Sequence, residues 1–207
     1  MVRWHPYRKP TTSFMNEFMD YANFSRDDGI PYERYLIAGG PGTGKSTLAR
    51  NLADTLDYPL LDLDGYHWNP GWEMTPLEEF RRRIDQAMAQ PTWVADGFYS
   101  KIQELLWRRT EAVIWMDRSF SVVIPRLVWR SLIQGITRRE LWPGCRASLR
   151  QSFFSRRSVI WWAIRSWEER KKGYRELFES EESQHLDIFR VTSPDLSEVT
   201  RFSPPAS

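Results

Sequence analysis

The chain has 207 residues, enough for one α/β domain that buries a continuous core. Its single cysteine, Cys145, excludes an intramolecular disulfide framework and a cysteine-rich metal site. The formal net charge is only +2, yet across residues 118–175 the arginines and lysines face three acids, Glu140, Glu168 and Glu169. That imbalance points to an anionic partner, either the phosphates of a small nucleotide or a nucleic-acid backbone.

No segment near the N-terminus joins a basic start to an apolar stretch of signal-peptide length. The longest apolar run, residues 159–164, is far short of a bilayer span, so packing against the sheet is the expectation there. A cytoplasmic enzyme without membrane contact is expected. Most of the eleven tryptophans are expected in core or rim packing.

Residues 1–33 read as an extension ahead of the first core strand. Within it Phe14, Met15, Phe18, Met19 and Ala22 form an amphipathic stripe that predicts one docked helix. Tyr35-Leu36-Ile37-Ala38 then reads as a short buried strand. Gly39-Gly40-Pro41-Gly42-Thr43-Gly44-Lys45-Ser46 follows it and fits the phosphate-loop pattern GxxxxGK[ST] at every fixed position. Leu48, Leu52 and Leu56 recur at helical spacing after the loop. A bare glycine-rich turn is the competing reading, and the strand before and helix after argue against it.

Such a loop turns backbone N–H groups toward phosphate, and the following helix adds the positive end of its dipole. The pattern predicts ATP contacts from Gly40, Pro41, Gly42, Thr43, Gly44, Lys45, Ser46 and Thr47. Lys45 would reach the β- and γ-phosphates, and the Ser46 hydroxyl would ligate Mg²⁺.

A second strand is expected over residues 59–63, carrying Asp62 and Asp64. Pro70, Gly71 and Pro76 then break the chain. A helix over 77–90 would turn Phe80, Ile84, Ala87 and Met88 inward. A third strand is expected over 92–95, ending at Asp96-Gly97, and a fourth over 112–116, ending at Asp117. Arginine-rich helices over 121–135 and 148–179 follow, separated by a loop with Trp142-Pro143-Gly144. A fifth strand covers 186–191, one kinase domain is expected over 34–202, and the Ser-Pro-Pro tail, 203–207, is expected to be disordered. Strands alternating with helices predict right-handed crossovers and a mostly parallel sheet. Ligands of such sheets bind at the carboxyl ends of the strands, where all four aspartates fall. Asp64 is expected to face the substrate, with Asp62 turned to the opposite side.

Asp96 at a strand end suits a water of the Mg²⁺ shell, since magnesium keeps several waters and needs only one or two protein carboxylates. The competing reading is a turn aspartate, for which Asp-Gly is ordinary. Asp64 has two readings as well: a base or positioning carboxylate for an acceptor hydroxyl, or a strand-end carboxylate satisfied by backbone N–H groups. Trp68 and Trp72 flank a Pro-Gly turn, either to stack on a planar acceptor or to pack the loop. His67 is expected to be structural, and no His/Cys/Asp spacing suggests zinc.

Asp96-Gly97-Phe98 resembles the Asp-Gly-Phe of adenylate kinases, whose aspartate helps organise magnesium. Arg126 and Arg130, nine and thirteen residues past Asp117, are similar in spacing to an arginine pair of that family. The resemblance implies that Arg126 lies against the adenine and that Arg130 contacts phosphate. A closer resemblance is to the adenylate-kinase-related, or topology-modulation (FlaR-like), proteins. It rests on Leu63-Asp64-Gly65-Tyr66-His67-Trp68, on Trp68-Asn69-Pro70-Gly71-Trp72 and on Trp93-Val94-Ala95-Asp96-Gly97-Phe98-Tyr99-Ser100, and it spans about residues 35–191. Asp64-Gly65-Tyr66 is also loosely similar to the Asp-x-Phe-Tyr of uridine-kinase-like enzymes, where the aspartate serves the acceptor.

These resemblances imply a P-loop NTPase three-layer α/β fold, adenylate-kinase-like, with a five-stranded, mostly parallel sheet. An arginine-rich helical lid is expected at about 131–150, in which Arg138 and Arg139 would close over the triphosphate. Arg146, Arg150, Arg156 and Arg157 either extend that surface or are simply solvated. Two departures bear on the acceptor. Tyr99-Ser100 stands where adenylate kinases have Pro-Arg to grip the AMP phosphate, and their glycine-and-arginine acceptor region is replaced by Leu61-Asp62-Leu63-Asp64.

The expected function is ATP-dependent phosphotransfer to a small acceptor, a nucleotide or nucleoside, with Lys45, Asp64, Arg130, Arg138 and Arg139 catalytic and Ser46 and Asp96 serving Mg²⁺. The alternative is a nucleotide-regulated nucleic-acid-binding protein, although no helix-turn-helix or other base-reading module is recognisable.

Overall fold

The computed structural model describes residues 21–154, 158–193 and 198–202. The expected N-terminal helix carried by Phe14, Met15, Phe18 and Met19 lies outside the described residues, as do Arg156, Arg157 and the 203–207 tail.

The central strand is β1 (Arg34–Ala38), buried from Tyr35 onward because helices cover both faces of the sheet. The phosphate loop leads from it into α1 (Lys45–Leu56). Then come β2 (Leu60–Asp62), a one-turn α2 (Leu63–His67), and a small hairpin of β3 (Trp68–Asn69) and β4 (Glu73–Met74). Next are α3 (Leu77–Ala87), β5 (Trp93–Asp96), α4 (Gln103–Arg109), β6 (Ala112–Met116) and the long α5 (Phe120–Ile136). A second hairpin, β7 (Glu140–Trp142) and β8 (Cys145–Arg146), follows. The chain continues through α6 (Leu149–Phe154), α7 (Val159–Arg165), α8 (Trp167–Glu179), β9 (Asp187–Val191) and β10 (Val199–Phe202).

The main sheet has the order β10-β9-β6-β1-β5-β2, and every neighbouring pair is parallel except β10 with β9. It has six strands where the sequence predicts five. Thr192 N–H bonds the Glu198 carbonyl, and the chain returns along β9 with Phe202 edge-on to Trp115 at 6.1 Å. Alternation along β1 divides the core. Leu36 and Ala38 face a cluster that includes Phe80, Ile84, Leu106 and Phe178 of α3, α4 and α8. Tyr35 and Ile37 face Leu48, Leu52 and Ala53 of α1. A third cluster joins Leu127 of α5 to Ile160 and Ala163 of α7.

Two local expectations change. The helix expected over 148–179 is three helices. Ser158 caps α7 by accepting the Trp161 N–H at 3.4 Å, and Ser166 both ends α7 and opens α8. The strand expected to run through Leu63 stops at Asp62, whose side chain accepts the Gly65 N–H and so begins α2. Region 131–150 comprises the end of α5, the β7–β8 hairpin and the start of α6. Among the described residues no helix is long and apolar enough to cross a membrane.

Candidate active site

The carboxyl ends of β1, β2, β5 and β6 lie side by side, and register puts Asp96 opposite both Ile37 and Asp62. The phosphate loop opens from this edge. Gly44 sits at φ 96 as the N-cap of α1, and Gly42 at φ 85 is pressed so close to Val123 that a Cβ there would lie 3.0 Å from its carbonyl oxygen. Both positions need glycine for conformation, and Gly42 needs it for space as well. Thr43 is buried and turns both its hydroxyl, at 2.8 Å, and its backbone N–H, at 3.4 Å, onto the Gly40 carbonyl, which holds the loop closed on itself. Lys45 and Ser46 open α1, where the first N–H groups of a helix lack intrahelical acceptors, whereas the Thr47 N–H already donates to the Gly44 carbonyl at 3.1 Å. Pro41, Ser46 and Gly40 are half-buried, while Thr47 is exposed.

Lys45 turns back over the loop, with Nζ 3.3 Å from Asp96 Oδ1. Burial alone would lower the lysine pKa, but Asp96, Asp64 and Asp62 outweigh it and hold the ammonium above its ordinary value. Asp96 Oδ1 is within ion-pair distance of that ammonium, yet it accepts no well-formed hydrogen bond. A buried carboxylate oxygen left so has capacity for a strong donor such as a metal-bound water. With the half-buried Ser46 hydroxyl at the start of α1, it fits a magnesium ion that keeps most of its waters. Among the described residues no group of three or more His, Cys, Asp or Glu side chains forms an all-protein metal cage.

Asp64 is placed by the turn of α2, and its Oδ1 accepts the Tyr99 hydroxyl. Burial, then the charge of Asp64, drives the Tyr99 pKa far up, so this phenol is a permanent donor. His67 packs among Trp68, Phe80 and Tyr99 with ring centroids 4.7–5.2 Å away. Burial lowers its pKa against the pull of Asp64, which suits the structural role expected of it.

Asp62 does not turn away. Strand alternation gives residues two apart the same face, so it offers no reason to turn Asp62 from Asp64; its carboxylate shares the electrostatic cluster of Asp64 and Asp96. Its Oδ2 accepts Trp142 Nε1 at 2.8 Å and its Oδ1 accepts the Gly65 N–H at 3.3 Å. Burial raises its pKa, Asp64 and Asp96 add to the rise, and the Trp142 bond opposes it.

Arg130 reaches toward this cluster from α5. Much of its side chain stays accessible, but the guanidinium lies deep enough for burial to lower its pKa, while Asp64 and Asp96 act to raise it. Arg126, one turn earlier, is exposed. Arg138 lies elsewhere. It sits at φ 47 and, with Arg146 and Arg150, lines a separate recess of about 600 Å³ at the end of α5. Arg139 is exposed, and its carbonyl accepts the Ala147 N–H at 2.9 Å. Asp117 is committed to Lys171, at 3.2 Å, and Arg190, at 2.5 Å.

Sequence reasoning missed Arg170 and Tyr174. They stand four apart on α8 and so share a face, and that face meets the phosphate loop. A Cβ built on Gly40 would come within 2.8 Å of Arg170 Nη1. Tyr174 is hydrogen-bonded by the Gly39 backbone, and its pKa is raised by burial against the fields of Arg170 and Lys45. Trp162 lies under the Arg170 guanidinium, 4.4 Å from its ring centroid. The i, i+4 spacing was the available signal.

Comparison with solved structures finds similarity to a shikimate kinase from Bacteroides thetaiotaomicron, at 18% identity and a TM-score of 0.45, covering 80% of this chain and 88% of that one. A gluconokinase from Sinorhizobium meliloti 1021 matches at 20% identity and a TM-score of 0.36, over 47% of this chain. The chain spans 64% of that gluconokinase's length. A sugar kinase from Janibacter sp. matches at 19% identity and a TM-score of 0.35, over 53% of this chain and 69% of that one. No curated protein matches the sequence. A family profile described as an AAA domain matches residues 34–186, which includes the phosphate loop, the aspartates at the strand ends and α5 through α8. The chain therefore belongs to this AAA-domain family of P-loop NTPases.

Proposed function

We propose that this protein is an ATP-dependent phosphotransferase acting on a hydroxyl of a small acceptor, with nucleosides the first candidates. The observation that carries the reading is the Lys45–Asp96 pair at 3.3 Å with Asp64 and Arg130 in the same electrostatic cluster. This set holds a phosphate-binding cation, a carboxylate suited to a metal-bound water, a carboxylate suited to an acceptor proton, and a second cation.

The loop amides and Lys45 would hold the β- and γ-phosphates, and Arg130 and Arg170 would add guanidinium charge from α5 and α8. Ser46 and Asp96 would hold Mg²⁺, which when bound supplies charge neutralisation at the transferring phosphoryl group. Asp64, with one oxygen anchored by Tyr99, would orient the acceptor and take its hydroxyl proton on the other oxygen. The acceptor oxygen then bonds to the γ-phosphorus as the bond to the β-phosphate oxygen breaks, and ADP leaves. Arg126 would lie against the adenine. Arg139 would act only if the lid region moves, and Arg138 opens onto its own recess.

The hydroxyl version is favoured over an acceptor phosphate by the company Asp64 keeps. Asp62 and Asp96 share its field, and Ser100 offers no cation to a monophosphate. The test is ADP formation from ATP and Mg²⁺ with a panel of nucleosides, nucleoside monophosphates, small sugars, gluconate and shikimate. Acceptor-dependent ADP release with a hydroxyl compound supports the reading. Salt-sensitive duplex DNA binding, without turnover on any of the panel, would replace it by the nucleic-acid alternative.

A further inference from the structure

Two small hairpins meet beside the carboxylate cluster. β3–β4 continues from α2 on the acceptor side, and β7–β8 forms the tip of the lid region. Gly71 N–H donates to the Gly144 carbonyl at 3.0 Å, Trp72 Nε1 to the Arg146 carbonyl at 3.0 Å, and Cys145 Sγ to the Asn69 carbonyl at 3.1 Å. The approach needs glycine at 144, which sits at φ 73 and where a Cβ would lie 2.6 Å from Pro70. Trp72 is held at φ 64, a conformation a bulky residue keeps only when its contacts over-determine it.

Trp142 carries the contact down to the cluster. Its Nε1 donates to Asp62 at 2.8 Å, and its ring lies so close over Gly65 that a Cβ there would be 3.2 Å from Cδ1. It also meets Trp72 edge-on, with centroids 5.7 Å apart. All of these contacts go to residues 62–72, which surround Asp64, and none of them goes to the phosphate loop. A lid that served the triphosphate alone would not need them.

We propose that Trp142 is a specificity-determining residue for the acceptor. Through it the lid hairpin roofs the acceptor pocket, with Asp62 as its docking point, and the pocket beside Asp64 is complete only while the two hairpins are together. The inference rests on the phosphotransferase reading. It assigns Asp62 to the lid, leaves Asp64 for the substrate, and restricts the acceptor to a compound small or flat enough to lie beneath an indole.

The experiment compares full-length wild type with Trp142→Phe, which keeps a ring but loses the N–H, and Trp142→Ala, which opens the roof. One arm follows amide hydrogen exchange over residues 68–74 without ligands; the other measures ADP release with the acceptor panel. Trp142→Ala should speed exchange in 68–74 about tenfold or more, with Trp142→Phe between it and wild type. Both variants should raise KM for the wild-type acceptor about tenfold or more while KM for ATP moves less than about threefold, and Trp142→Ala should accept bulkier probes. Unchanged exchange over 68–74 overturns the docking, and a shift confined to KM for ATP overturns the specificity role. A wild type silent with every probe sinks the phosphotransferase reading and the specificity role together, while the exchange arm still reports whether Trp142 ties the hairpins.

Discussion

Lys45→Met keeps the length and volume of the side chain and removes its charge, leaving Asp96 and its neighbours with one cation fewer. Lys45 and Asp96 are largely buried, with side chains 16% and 8% exposed, and the pair is 3.3 Å apart. At an effective dielectric constant of about 20, the attraction across that distance is about 5 kcal/mol. Desolvation offsets part of it, and breaking a buried pair by removing one partner costs about 3–5 kcal/mol. The lysine side chain keeps some exposure to water, so the lower end, about 3 kcal/mol, is the expected loss. For a domain of this size that lowers Tm by about 6–12 °C. Lys45→Met/Asp96→Asn, which removes both charges, should recover most of it.

The sign with pH follows from the lysine. Its pKa is raised on folding, so its stabilisation is complete below the ordinary value of 10.5 and is lost as pH rises through the folded-state value. The gap in Tm between wild type and Lys45→Met should therefore hold steady from about pH 6 to 9 and close only above that window. Calorimetric or fluorescence-detected melting across this range, beside titration with MgATP, checks both stability and ligand binding. Equal melting temperatures for wild type and Lys45→Met at neutral pH would refute the reasoning, and so would a double variant no more stable than the single one.

Asp64→Asn keeps the shape and the Tyr99 contact but removes the base, so kcat with a hydroxyl acceptor should fall by about 10²–10⁴ with ATP affinity nearly unchanged; a change confined to acceptor KM would mark it as a positioning group only. Arg170→Ala should weaken triphosphate binding about tenfold or more through loss of a charge-assisted contact, read by calorimetric titration with MgATP, and unaltered affinity would take α8 out of the site. His67, whose pKa is lowered by burial, contributes stability that is present above its ordinary value of 6.5 and lost as pH falls. His67→Phe should accordingly flatten the fall in Tm between about pH 7 and 5 without abolishing turnover, and a variant as acid-sensitive as wild type would remove His67 as the cause.

Local pattern was enough for much of the protein. The phosphate loop declares itself because eight consecutive residues with a buried strand before and a helix after leave few other structures open to them. Asp96 was legible for the same reason, as a carboxylate at the end of a continuous apolar run that forms β5. What the local pattern could not supply was direction across the fold. Whether Asp62 faces the cleft depended on where β2 stops, which its own capping of α2 decides, three residues away. That it meets Trp142, eighty residues on, depended on two hairpins docking. Arg170 and Tyr174 were visible as a pair on one helix face, but only the packing of α8 against the sheet aims that face at Gly39 and Gly40. Asp117 had the same strand-end position as Asp96 and a different fate, because α8 and β9 bring Lys171 and Arg190 to it. Periodicity sets which residues share a face, and only the assembled layers determine what that face meets.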